Sequence, residues 1–182
     1  MTTVNASEIE GVRIARIDSA TDKRGSFIKF HPLAEFQDTL NSSALSFNPF
    51  SGTIRGMHFQ VEPFAEEKLV SCVQGAIYDV IADLRPGSQT FGKWASIELT
   101  SENRLQAYLP KGIAHGFQTL LPETIVQYFL TSQYSPEYSY SIDPFGDLKI
   151  VWPLKELLIS EKDTLGVSLE YAAQKYSESL NI

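Results

Sequence analysis

The run "KLVSCVQGAIYDVIADLRPGS", Lys68–Ser88, decides the fold class. Two apolar segments of strand length stand on either side of Gly75, and the second runs into Pro86–Gly87, the dipeptide that suits a type II turn. Outward from this pair the same grammar recurs. "GVRIARI", "GSFIKF", "SALSFN", "GTIRGMHFQ", "WASIELT", "LQAYLP", "HGFQTLL" and "ETIVQYFLT" all read as strands. Gly, Pro, Asn or Ser separates them at roughly ten-residue spacing, which predicts an antiparallel sandwich or barrel. Helical spacing is confined to "PLAEFQDTL" at 32–40 and "SLEYAAQKYSESL" at 168–180, where Leu169, Ala172, Ala173 and Tyr176 share a face. We therefore expect one domain over 1–182: a mainly β unit over about 10–135, then the loop-rich "SPEYSYSIDPFGD", then a C-terminal helical cap within about 136–182.

Bulk properties narrow the function. The 182 residues carry 15 basic and 22 acidic side chains, a net charge of −7, and no dense Lys/Arg cluster, so a nucleic-acid partner is not expected. The single cysteine, Cys72, excludes an internal disulfide framework and a CxxC zinc pattern, and its apolar context predicts a buried core residue. There is no basic-then-apolar leader and no apolar run of membrane-spanning length, so a cytoplasmic protein without a membrane partner is the expectation.

Two of the three histidines, His58 and His115, lie in glycine-bracketed strands, "RGMHFQ" and "IAHGFQ". They could be metal ligands, acid–base groups or core residues. Alternation puts Ile54, Gly56, His58 and Gln60 on one face, with Arg55 on the other unless Gly56 forms a bulge. The same count groups Lys68 with Val70 and Cys72, and Tyr128 with Val126 and Leu130. If these faces share one interior, it holds His58, Gln60, Lys68 and Tyr128. A lysine there needs a partner or a chemical task.

Two stretches, Gly52 to Gln60 and Pro110 to Thr119, resemble the paired signatures of cupin barrels. Metal-binding cupins place a second His two residues after the first and an Asn four after the later one; here Gln60 and Thr119 stand there, so no metal is expected. A longer resemblance follows. "RGMHFQ", "KLVSCVQGAIYDVIADLRPGSQTFGKW", "ELTSENRLQAYLPKGIAHGF", "VQYFLTSQYSP", "IVWPL" and "ISEKD" resemble the dTDP-4-dehydrorhamnose 3,5-epimerase family in order and spacing, from about Arg24 to Asp163. The resemblance implies a cupin-type antiparallel β-barrel (jelly roll) with a short α-helical cap, working as a homodimer paired through N-terminal strands. It also implies a cofactor-independent epimerase acting on a nucleotide-linked 4-keto sugar.

Position by position, the resemblance makes His58 the base, Asp163 its carboxylate partner, Tyr128 the opposing acid and Lys68 a donor at the C4 oxygen. Arg24, Phe27, Asn48, Arg55, Gln60, His115 and Tyr134 would bind substrate. The chemistry calls for such a set. A proton next to a ketone leaves as an enolate, for which a carboxylate-backed imidazole is a suitable base, and a cation at the oxygen stabilises the charge. Asp163 also closes a capping box, Ser160-x-x-Asp163, compatible with that role. Asp79 and Asp83 could support pocket residues. Departures from the family pattern are Lys29, where an acid is usual, Glu66 in place of glutamine, and Tyr108 and Lys111 in place of tryptophan and glutamate.

Overall fold

A computed structural model describes residues 2–6, 8–30 and 41–180. The helix expected at 32–40 and the neighbouring His31 lie outside the described residues. Two sheets face each other. The first is ordered β1 (Thr2–Ala6), β2 (Arg13–Arg16), β10 (Leu105–Leu109), β7 (Lys68–Gln74), β12 (Thr124–Leu130) and β5 (Ser42–Asn48). The second is ordered β13 (Ser139–Ser141), β6 (Thr53–Gln60), β11 (Ile113–Thr119), β8 (Ala76–Asp83) and β9 (Trp94–Thr100), with β14 (Leu158–Ile159) added in parallel to β6. The other pairings between these strands are antiparallel. A separate hairpin is made by β3 (Ser19–Asp22) and β4 (Gly25–Ile28).

The expected jelly-roll architecture is present, as two facing sheets that among the described residues form no closed ring of strand pairing. Gly75 accounts for the break in the opening run. At φ +79° it carries the chain out of the first sheet at Gln74 and into the second at Ala76, so β7 and β8 never pair. The turn after β8 follows the sequence expectation, with Gly87 at φ +86° and Ser88 N–H donating to Arg85 O at 3.1 Å.

Between the sheets lies a core that includes Ile14, Val70, Ile81, Leu109, Phe117 and Val126. A second core covers the outer face of the second sheet, where Met57, Val80 and Ala114 meet Ile142, Ile150 and Tyr176 of the C-terminal region. Burial on both faces explains why β8 reads as a continuous apolar run rather than a clean alternation. The C-terminal cap is α2 (Leu169–Ser179), which buries Ala172, Ala173 and Tyr176 and is N-capped by Ser168 accepting from Tyr171 N–H. Cys72 is buried as expected, and burial pushes its thiol up to about 11.

The two strand aspartates part company. Asp79 reaches His115, whereas Asp83 supports no pocket residue. Asp83 instead organises the 85–90 turn, accepting from Arg85 Nη2 at 2.7 Å, Ser88 Oγ at 2.6 Å and Thr90 Oγ1 at 2.7 Å. Burial raises its carboxyl, but those donors outweigh it and leave the group at about 2.

Candidate active site

β6 carries an extra residue relative to β11. His58 pairs with His115 and Arg55 with Phe117, so that two residues between them, Gly56 and Met57, stand against one, Gly116. Gly56 sits in this bulge at φ +117°, so close to β11 that an added Cβ would stand 2.5 Å from Gly116 Cα. The bulge resolves the parity conflict: Arg55 and His58 both line one cleft of about 420 Å3, with Ser160, Lys162 and Asp163. His58 and Lys162 also line an adjoining cleft of about 250 Å3, shared with Gln60, Glu66, Lys68, Tyr128 and others. Thus His58 comes from the second sheet, Lys68 and Tyr128 from the first, and they meet in the gap between sheets.

Asp163 arrives from a distance of 105 residues. β14 docks on Thr53 and Ile54 of β6, and Ser160 then caps the four-residue helix α1 (Glu161–Thr164) by accepting from Asp163 N–H at 3.2 Å. This leaves the Asp163 carboxylate beside Gly56 and His58. It lies 2.6 Å from His58 Nε2 and accepts from Ser141 Oγ at 3.2 Å and Gly56 N–H at 3.3 Å. Burial raises its carboxyl, yet the His58 bond and then the backbone and Ser160 bonds prevail and hold it below the ordinary carboxylate value. An ionised Asp163 accepts only, so His58 Nε2 must donate and its basic lone pair is on Nδ1. His58 is half-buried, so that nitrogen can meet solvent or ligand.

A pH dependence follows from the depressed Asp163. Its folded value lies below its unfolded one, so the stability it contributes is complete above about pH 4 and is lost as pH falls through the folded value. Denaturant midpoints measured downward from pH 6 should drop below about pH 4, and Asp163→Asn should remove part of that slope.

Lys68 is nearly buried, and its Nζ lies 3.2 Å from Glu66 Oε1. The Tyr128 ring meets His115 edge-on, with centroids 6.1 Å apart. The Tyr128 hydroxyl has no hydrogen bond to the protein among the described residues, and burial followed by the charge of Asp79 drives the phenol well above its ordinary value. Tyr134 lines the smaller cleft from the rim, its hydroxyl 3.4 Å from Lys162 Nζ.

Other expected substrate-binding residues take different places. His115 is buried against Asp79, Nε2 to Oδ1 at 2.7 Å, and lies beneath Tyr128 rather than on the cleft wall. Gln60 is on the wall, but its amide is engaged: Nε2 donates to Phe64 O and Gln133 O, and Oε1 accepts from Ser135 N–H. It fixes the loop that presents Tyr134. Asn48 Oδ1 accepts from Arg55 Nε at 2.8 Å and its Nδ2 bonds Ser46 O and Thr124 O, so it sets Arg55 and touches neither cleft. Arg24 and Phe27 are exposed on the β3–β4 hairpin. That hairpin hangs on Arg104, whose guanidinium bonds Ser19 and Ser26, at the Cys72 end of the sheet and away from Lys68.

Sequence reasoning missed Lys162, Ser141 and the Glu66–Lys68 pair. Lys162 stood next to Asp163 in "ISEKD", the one local signal for it; Ser141 had none. Lys111, a departure from the family pattern, pairs with Glu62 at 2.9 Å outside both clefts. Among the described residues no group of three or more His, Cys, Asp or Glu side chains is disposed to hold a metal ion. No helix among them is long and apolar enough to cross a membrane.

Comparison with known proteins gives a consistent picture. Residues 6–170 match the family model described as dTDP-4-dehydrorhamnose 3,5-epimerase. The enzyme of that name from Methanothermobacter thermautotrophicus is 39% identical over 170 residues, covering 86% of this chain and 89% of the relative. The Sinorhizobium fredii enzyme is 48% identical over 122 residues, or 65% of this chain and 62% of that one. Among solved structures, the Legionella pneumophila dTDP-6-deoxy-D-glucose-3,5-epimerase in complex with dTDP-4-keto-L-rhamnose superimposes with a TM-score of 0.85 at 32% identity. That match covers 93% of each chain.

Proposed function

This chain belongs to the dTDP-4-dehydrorhamnose 3,5-epimerase family and is an isomerase, and on that premise we propose that it inverts C3, C5 or both of a dTDP-linked 4-keto-6-deoxy sugar without a cofactor. The observation that carries the proposal is the cleft in which the His58–Asp163 pair, Lys68 and Tyr128 converge from two sheets.

The sugar enters between His58 and Tyr128. His58 Nδ1 takes the proton α to the ketone, and Asp163 stabilises the imidazolium that results. The electron pair moves onto the C4 oxygen, where the Lys68 ammonium balances it. Tyr128 returns a proton to carbon from the opposite face, and the ketone re-forms with the centre inverted. Solvent then reprotonates the phenolate and takes the proton held on the His58 imidazolium, which restores both groups. The diphosphate extends into the larger cleft toward Arg55 and Lys162.

Lys68→Met is expected to lower kcat about 10²–10³-fold, the usual loss for one donor at a developing oxyanion, with a smaller change in KM. Steady-state kinetics on the keto sugar check this.

Arg24 and Phe27 line neither cleft of their own chain, and we assign them to the cleft of a second copy in a homodimer. The exposed apolar side chains of Phe27, Leu45 and Phe47, the latter two on edge strand β5, support a face that another chain covers. The cytoplasm, where nucleotide sugars are built, is the compartment proposed.

The test is incubation of dTDP-linked 4-keto sugars with the enzyme in D2O, read by proton NMR. Deuterium at C3 or C5 together with an inverted centre is the expected result. Movement of the carbonyl to another carbon would make the protein a keto-sugar isomerase, and no exchange on any sugar of the panel would leave a binding protein.

A further inference from the structure

The Glu66 carboxylate is 10% exposed and forms part of the wall of the smaller cleft. One of its oxygens, Oε1, is 3.2 Å from Lys68 Nζ; the other, Oε2, has no hydrogen bond among the described residues. The cleft wall mixes apolar Ala44, Phe59 and Leu130 with polar groups, among them Gln60 and Ser139, and none of these bonds Glu66 among the described residues. A carboxylate so far out of water, half satisfied, calls for a second donor, and once a ligand displaces water from the cleft only the ligand can supply it.

Lys68 and Glu66 together present a donor and an acceptor side by side. An α-hydroxy ketone presents the complementary acceptor and donor on adjacent carbons. On the function proposed above, on which this inference rests, Lys68 holds the C4 carbonyl oxygen. The ring substituents within reach of a carboxylate bonded to the same ammonium are then those on C3 and C5. In a 6-deoxy sugar the C5 substituent is a methyl group, which cannot donate, so the partner is the C3 hydroxyl. We propose that Glu66 is a specificity-determining residue that accepts from the C3 hydroxyl, selecting 4-keto sugars that carry a hydroxyl next to the ketone over 3-deoxy ones.

The pair serves as more than a contact. An ammonium on four rotatable bonds is fixed toward the ketone by its carboxylate neighbour, and the sugar is gripped across the C3–C4 bond whose C3 hydrogen leaves. A buried polar group built to meet a hydroxyl discriminates strongly against the analogue without it, because the group is then left unpaired.

The experiment measures equilibrium binding of dTDP-4-keto-6-deoxyhexose and dTDP-4-keto-3,6-dideoxyhexose by calorimetry, in the wild type, Glu66→Gln and Glu66→Leu, alongside C5 exchange in D2O. The wild type should prefer the hydroxylated sugar by about 10–100-fold, the range of a hydrogen bond to a charged group. Glu66→Leu should bring the two within about threefold, and Glu66→Gln, which still accepts, should fall between. An unchanged preference in both variants, or no preference in the wild type, overturns the role of Glu66. The binding ratio judges Glu66 even if no sugar exchanges, while absent exchange with intact binding would overturn the epimerase function instead.

Discussion

His58→Asn is expected to slow solvent exchange at the carbons next to the ketone about 10²–10⁴-fold, the usual loss when a positioned general base is removed. The variant isolates chemistry from structure. Asparagine is too short to place an N–H where Nε2 stands, but the buried carboxylate keeps its donors from Ser141 and Gly56. What is lost is the lone pair on Nδ1, for which an amide has no basic substitute. Thermal unfolding should therefore stay close to the wild type while exchange collapses. Asp163→Asn should fall by a smaller factor in rate and a larger one in stability, since it removes the charge opposite the imidazolium and turns an amide N–H toward groups that themselves donate.

Tyr128→Phe should cut formation of the inverted product about 10²–10⁴-fold, as expected for loss of a general acid. The substitution keeps the ring and its edge-on contact with His115 and removes only the hydroxyl. Burial and the charge of Asp79 hold that phenol far above its ordinary value, so it is fully protonated at neutral pH and presents a proton rather than a charge to the bound sugar. A carbanionic carbon next to a ketone is basic enough to take it. Because the Tyr128 hydroxyl has no protein partner among the described residues, its removal leaves no orphaned donor or acceptor, and the cost in stability should be under about 1 kcal/mol. Product stereochemistry by NMR checks the rate.

Much of this site was legible because strand alternation is a strict rule. Counting by twos placed Lys68, Val70 and Cys72 on one inward face and Val126 and Tyr128 on another, and the two sheets bring those faces together. The conditional attached to Gly56 could be stated but not decided, since a bulge is a property of two strands and only one was visible at a time. Asp163 read locally as a helix cap, and its approach to His58 depends on β14 adding to β6, a parallel pairing with no signature in a two-residue strand. Asn48 and Gln60 show the opposite limit. The resemblance put both among the substrate-binding residues, yet backbone groups take up the Gln60 amide, and backbone groups with Arg55 take up that of Asn48. Strand count and punctuation left a sandwich and a barrel both open, and only the resemblance implied the barrel; whether sheets close depends on edge pairing that sequence does not encode residue by residue. Arg24 and Phe27 line neither cleft, and nothing in their local sequence separates a pocket residue from an exposed hairpin one.

The central claim is that one pocket holds a base and an acid on opposite faces of the same sugar. Proton NMR in D2O on dTDP-linked 4-keto-6-deoxyhexose with Tyr128→Phe measures it most directly. Deuterium should still enter at C3 or C5 with retained configuration, because His58 can remove a proton and return a deuteron on its own face, while inverted product nearly disappears. Loss of exchange and inversion in equal proportion, or inversion at the wild-type rate, would contradict it.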